Sequence, residues 1–268
     1  MRNAIIAIAT ICAAACAGAK PVPEKIDGLR VTDVGSGGVP VVFLPGLCGE
    51  RQTWQAQVDH LRGSRRVVVY DQRGHGESDR AEKYTLDLLA DDLDDVVNRL
   101  HLEKFWLVGH SLSGAVLSVY AGRHPEKLAG LVFVDAVGDV SSAPIEVKKW
   151  FQDPGPGFDV TQMQTMFGEM LGPKAKPQTR EAVLAAAAKC DPRAFVQLRE
   201  ELVARSPAPG VAKFGGPKVA LEAEGPDNPF LASKLPGMQR KVVENVSHWL
   251  MLDDAAATNA ALDEVLAP

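Results

Sequence analysis

The chain has 268 residues, 46% of them hydrophobic and 24% charged. That balance belongs to a folded chain long enough to bury one large core. A formal net charge of −5, without a long basic run, argues against nucleic acid or an anionic membrane surface as a partner.

Residues 1–19 differ from the rest. Met1-Arg2-Asn3 gives a short positive start, Ala4 to Ala15 is apolar or small, and Ala17-Gly18-Ala19 precedes Lys20. This is the layout of a cleaved export signal, too short to span a membrane comfortably. The protein is therefore expected to be exported, periplasmic or secreted. A second reading makes Cys16 a lipidated residue and the protein a lipoprotein. Cys12 and Cys16 fall in this segment, leaving Cys48 and Cys190 in the mature chain. They could pair in an oxidising compartment, but their expected places, a core loop and a helix of an insertion, give no reason to expect it. No Cys/His cluster has metal-ligand spacing, so neither metal nor cofactor is expected.

Leu29 to Val34 alternates weakly and reads as an edge strand. Val39 to Leu44 and Arg66 to Tyr70 are apolar runs of the kind found in strands buried on both faces. Arg51 to Leu61 is a helix candidate. Leu86, Leu89, Ala90, Leu93, Val96, Val97 and Leu100 recur at helical spacing, with Asp91, Asp92, Asp94 and Asp95 between them as a solvated face.

Lys104 to Val108 is another strand, and Leu112 to Arg123 reads as a helix. Between them stands Gly109-His110-Ser111-Leu112-Ser113-Gly114. A strand, a sharp turn and a helix put the Ser111 hydroxyl at an apex where a base can reach it. Only small residues fit beside so tight a bend, and Gly109, Ser113 and Gly114 are small. The following helix aims its first N–H groups at any anion formed there.

These residues resemble the nucleophile elbow G-x-S-x-G of the α/β-hydrolase family, with serine at its fifth position. Pro45-Gly46-Leu47-Cys48-Gly49 resembles the same family's His-Gly-x-x-Gly loop, with proline where the histidine usually stands. Gly46, Gly49 and Trp54 match. Asp71-Gln72-Arg73-Gly74-His75-Gly76-Glu77-Ser78 is similar to its D-x-R-G-x-G-x-S loop, where His75 is expected to be structural. The resemblance covers essentially the whole mature chain.

Leu128 to Val134 continues the strands and ends at Asp135. From Gly138 to Gly216 strands give way to helical stretches over Ala143–Phe151, Val160–Leu171, Arg180–Lys189 and Arg193–Arg205. The resemblance makes 138–216 a helical cap inserted in a core of 20–137 and 217–268. Trp150, Met166 and Phe167 are its candidates for a substrate wall. Lys218 to Ala223 and Arg240 to Val243 return to strand, and Asp253 to Leu266 closes the chain as a helix. The expected fold is α/β, a mostly parallel sheet covered by helices on both faces.

The resemblance implies a triad in the order Ser, acid, His. Ser111 is the nucleophile and His248, in Asn245-Val246-Ser247-His248-Trp249, the base. The acid stays open between Asp135, at a strand end, and Asp227, in a Pro-flanked loop. Asp135 is placed ahead of Asp227, with Glu224 and Asp139 as outsiders. By the same resemblance the N–H groups of Leu47 and Leu112 form the oxyanion hole. The implied activity is cleavage of a small ester, thioester or lactone through an acyl-enzyme; amide cleavage and perhydrolysis stay open. A binding protein on the same fold is the competing reading. The expected partner is a small-molecule substrate, without a membrane span.

Overall fold

The computed structural model describes residues 25–152 and 154–267. The segment expected to be an export signal, and Cys16 within it, lie outside these residues. The strands are β1 (Lys25–Ile26), β2 (Leu29–Val34), β3 (Val41–Leu44), β4 (Val67–Tyr70), β5 (Phe105–His110), β6 (Leu128–Val134), β7 (Lys218–Ala223) and β8 (Gln239–Val243). They form one eight-stranded sheet in the order β1-β2-β4-β3-β5-β6-β7-β8. From β4 to β8 every pairing is parallel. β2 runs antiparallel to β4 and also pairs with β1, so the edge strand is β1 rather than Leu29–Val34.

The continuous apolar runs have the burial they imply. β3, β4 and β5 are buried at every position. Their side chains alternate between two cores: Val42 and Leu44 face one layer, Val41 and Phe43 the other. The first layer is covered by α2 (Leu86–Arg99) and α3 (Ser113–Arg123). The second is covered by α1 (Gln55–Leu61) and, at the C-terminus, by α9 (Leu250–Asp253) and α10 (Ala255–Val265). One aspartate departs from the expected solvated face of α2. Asp92 is buried and takes two hydrogen bonds from the Arg73 guanidinium, which pins the 71–78 loop to this helix.

Between β6 and β7 come α4 (Ile145–Phe151), α5 (Val160–Leu171), α6 (Pro177–Lys189), α7 (Pro192–Ala204) and α8 (Ala208–Lys213). Asp159 caps α5 in a reciprocal capping box with Gln162. Pro177 and Pro192 open α6 and α7, where a missing N–H costs nothing.

Cys48 and Cys190 form a disulfide, a pairing the sequence left open but gave no reason to expect. The corner between α6 and α7 folds down onto the loops after β3 and β4, which brings the two residues together. The Asp191 N–H donates to the Gly74 carbonyl at 2.8 Å, Tyr84 Oη donates to Asp191 at 2.8 Å, and Lys189 pairs with Glu50 at 2.6 Å. His75 lies beside the two sulfurs, but both are committed to each other, so no thiolate is left for a metal. A bridge spanning 142 residues restricts the unfolded chain strongly. Cys190→Ser is expected to cost about 3–5 kcal/mol, read as a lowered urea midpoint against oxidised wild type. Reductant should bring the wild type to the same midpoint.

Candidate active site

Ser111 sits at φ 54°, a left-handed conformation that few non-glycine residues adopt. Its N–H donates to the Val134 carbonyl at 3.0 Å, fixing the bend to β6. The small neighbours are required by close packing. A Cβ on Gly109 would meet Leu117 Cδ1 at 2.5 Å, and one on Gly114 would meet the Ala136 Cβ at 2.7 Å. The two departures from the family pattern meet each other. Ser113 is fully buried, and its hydroxyl donates to the Pro45 carbonyl at 2.5 Å. Gln72 Nε2 donates to that carbonyl at 2.9 Å. The loop after β3 is thus tied to the elbow without a histidine at position 45.

Two of the expected triad residues, Asp135 and His248, are joined by a hydrogen bond. His248 Nδ1–H donates to Asp135 Oδ2 at 2.6 Å. Asp135 Oδ1 accepts from the Ala223 N–H at 3.0 Å, so both carboxylate oxygens are held. This leaves Nε2 as the His248 nitrogen without a partner among the described residues. Asp227 is not brought to the histidine. It is exposed and pairs with Lys234 at 2.5 Å. Glu224 pairs with Lys174 at 3.3 Å, and Asp139 accepts from Ser141 and Ser206. The histidine loop has an anchor that the sequence did not advertise. Buried Asp253 accepts from the Ser247 N–H at 2.8 Å and from the Lys176 N–H at 2.9 Å.

His110 packs against the His248 ring with centroids 4.6 Å apart and donates its Nε2–H to the His248 carbonyl at 2.9 Å. Burial, then the neighbouring imidazole, holds its pKa well below the usual histidine range. His110 therefore stays neutral and does not compete for the proton. His75 is also neutral and fully buried, pushed down by burial to about 4 from 6.5. Its Nδ1 donates to the Arg73 carbonyl at 2.8 Å. Such lowered bases contribute stability that is complete above the unfolded pKa and is lost as pH falls, because the unfolded chain binds the proton first. Between pH 6.5 and 4 His75 alone is expected to remove up to about 3 kcal/mol. Urea midpoints at pH 7, 5.5 and 4.5 should fall in order, and His75→Gln should flatten that decline.

Leu47 and Leu112 flank Ser111, and neither N–H has a partner among the described residues. The loop carrying Leu47 comes close to the elbow because position 46 lacks a side chain: a Cβ there would meet His110 Nδ1 at 2.6 Å and the Ser111 Cβ at 3.1 Å. Fully buried Asp71 holds the same loop from behind. It accepts from the Arg51 N–H at 2.6 Å and pairs with the Arg51 guanidinium at 2.6 Å.

These groups border one cavity of about 100 Å³ shared by Ser111, His248, Leu47 and Leu112. Trp150 and Phe167, expected as substrate wall, do line it. Met166 does not. It packs against the core, while its neighbours Phe167 and Met170 reach the cavity. Phe195, Arg199 and Leu202 of α7 complete the wall and were not singled out from the sequence. A hydroxyl, an imidazole oriented by a carboxylate and two free N–H groups around one cavity are the equipment of nucleophilic acyl transfer.

Comparison with known proteins agrees with this architecture. The chain is 42% identical over 74 residues to 3-oxoadipate enol-lactonase 1 of Acinetobacter baylyi, covering 28% of each chain. It is 33% identical over 115 residues to the sn-1-specific diacylglycerol lipase of Danio rerio, covering 42% of this chain and 36% of that one. Across several such curated relatives the match spans about a third to just under half of their length. Among solved structures, a bromoperoxidase from Bacillus anthracis superposes with a TM-score of 0.77 at 20% identity, covering 90% of this chain and 95% of that one. The sequence model of the alpha/beta hydrolase fold matches residues 39–172, which contain the elbow, the loop after β3 and Asp135. The chain belongs to the α/β-hydrolase family.

Proposed function

We propose that the protein is a serine hydrolase acting on small ester-like substrates. The observation that carries this reading is the His248–Asp135 hydrogen bond of 2.6 Å beside the cavity that Ser111 borders. Ser111 Oγ attacks the substrate carbonyl while His248 Nε2 takes its proton. The negative charge moves to the carbonyl oxygen, where the Leu47 and Leu112 N–H groups receive it. Collapse of the tetrahedral intermediate breaks the ester bond, and His248 returns the proton to the leaving oxygen. Water then attacks the acyl-serine with His248 again as base, releasing the acid and restoring Ser111. Asp135 holds the Nδ1–H tautomer throughout.

The helices over the cavity, α4 to α7, act as a cap in this reading. The tie between Pro45, Ser113 and Gln72 favours an enzyme over a binding protein, since it fixes the loop that carries one oxyanion donor. The lactonase and lipase relatives support hydrolysis as the reaction type. Export is part of the proposal, and the Cys48–Cys190 bridge supports an oxidising compartment. The test is a series of p-nitrophenyl esters of graded acyl length. Turnover should be highest for short acyl groups, in keeping with the small cavity. Absence of turnover across esters, thioesters and lactones would overturn the reading.

A further inference from the structure

The wall of the cavity contains one charge that its surroundings do not neutralise. Arg199 lies on the buried face of α7, between Phe195 one turn before it and Leu202 one turn after, where helical periodicity calls for an apolar residue. It is only 2% exposed. Among the described residues no carboxylate pairs with it, and its Nε and Nη2 have no hydrogen-bond partner. The acidic residues that follow it on the helix are turned elsewhere: Glu200 is exposed, and Glu201 accepts from the Leu86 N–H at 3.3 Å. The guanidinium instead lies between two rings, 4.6 Å from the centre of Trp150 and 4.7 Å from that of Phe195. Those contacts hold the plane of the group and favour a cation without using its N–H donors.

A buried, unpaired cation opposes folding, and such violations of ordinary packing concentrate at functional sites. Burial lowers the Arg199 pKa to about 10, so the group is still charged at neutral pH. It borders the same small cavity as Ser111 and His248.

We propose, building on the serine-hydrolase reading, that Arg199 receives a carboxylate carried by the substrate, and that the preferred substrates are small esters, thioesters or lactones bearing a free carboxylate. The planar fork of donors matches a carboxylate in two parallel hydrogen bonds. The rest of the wall is largely apolar, with Phe167, Met170 and Leu202 suited to a short hydrocarbon chain between the carboxylate and the reacting carbonyl. Arg199 is thus a specificity residue; it takes no part in the bond changes at Ser111.

The test compares monomethyl succinate, glutarate and adipate with methyl hexanoate, which lacks the charge, in wild type, Arg199→Met and Arg199→Lys. Wild type should prefer at least one half-ester by about 100-fold or more in kcat/KM, since a site built for a polar group discriminates strongly against analogues lacking it. Arg199→Met should lose that preference, mainly through a raised KM for the half-esters, with a much smaller change for methyl hexanoate. Arg199→Lys, which keeps the charge, should retain part of the preference and guards against a folding defect in the methionine variant. Calorimetric binding of succinate, glutarate and adipate to Ser111→Ala gives a readout independent of catalysis, and Arg199→Met in that background should abolish it. Equal loss on charged and neutral esters, or no half-ester preference in wild type together with no diacid binding, would overturn the proposal. Diacid binding that depends on Arg199, without any ester turnover, would keep the carboxylate site and discard the hydrolase reading.

Discussion

Ser111→Ala is expected to lower kcat by about 10⁴-fold or more, by analogy with removal of the nucleophile from other triads. In the proposed mechanism the Ser111 hydroxyl forms the acyl bond, and the φ of 54° at this position is a property of the backbone that does not need the hydroxyl. Alanine at this position keeps the Cβ and the bond from the 111 N–H to Val134. The variant should therefore fold with unchanged circular dichroism and nearly unchanged urea midpoint. The Leu47 and Leu112 N–H groups, the proposed oxyanion donors, and the cavity remain, so weak activity above the uncatalysed rate should persist while any acyl-enzyme burst disappears. Retention of wild-type kcat in a preparation shown by mass to be the pure variant would remove Ser111 from the chemistry.

The second large effect belongs to Asp135, the proposed acid. Asp135→Asn is expected to cost about 10⁴-fold in kcat, the loss seen when a triad carboxylate becomes an amide that favours the wrong histidine tautomer. Asp135 Oδ2 is the acceptor for His248 Nδ1–H, and an amide NH₂ placed there would reverse the donor and acceptor roles. Its other oxygen serves the Ala223 N–H, so the carboxylate also holds the end of β7. A modest loss of stability should accompany the loss of rate, and kinetics at a temperature well below the transition separates the two. Asp227→Asn removes only an exposed pair with Lys234 and should change kcat by less than about twofold. The reverse ranking would transfer the acid to the loop after β7.

The parts of this site that were legible in the sequence are those whose constraints are local. A serine between small residues, after an apolar run and before a helix, carries its own geometry. The close contacts at Gly109 and Gly114 are the physical form of that rule. The strand runs were legible for the same reason, since β3, β4 and β5 are buried on both faces and read as unbroken apolar segments. The choice between Asp135 and Asp227 was not local. Both follow strands that neighbour each other in the sheet, and only the path of the chain after β8 decides which one the histidine meets.

The disulfide was hidden by distance along the chain. Cys190 ends a helix that looks ordinary in sequence, and its approach to Cys48 depends on how the corner at Asp191 docks on Gly74 and Tyr84. Asp92 was hidden by its company, one buried acid in a run whose other members face solvent. Arg199 did leave a signal, an arginine four residues after Phe195 and three before Leu202 on an otherwise apolar stripe. Its meaning depends on the cavity it borders, which only the packing of α7 over the elbow creates.

The proposed mechanism requires that Ser111 become covalently acylated with His248 as its base. Labelling with a fluorophosphonate followed by peptide mapping addresses it directly, because the reagent reacts with an activated serine and remains attached. Stoichiometric modification at Ser111 is expected, strongly slowed in His248→Ala and Asp135→Asn and absent in Ser111→Ala. Labelling at another residue, or none at Ser111 in folded wild type, would contradict it.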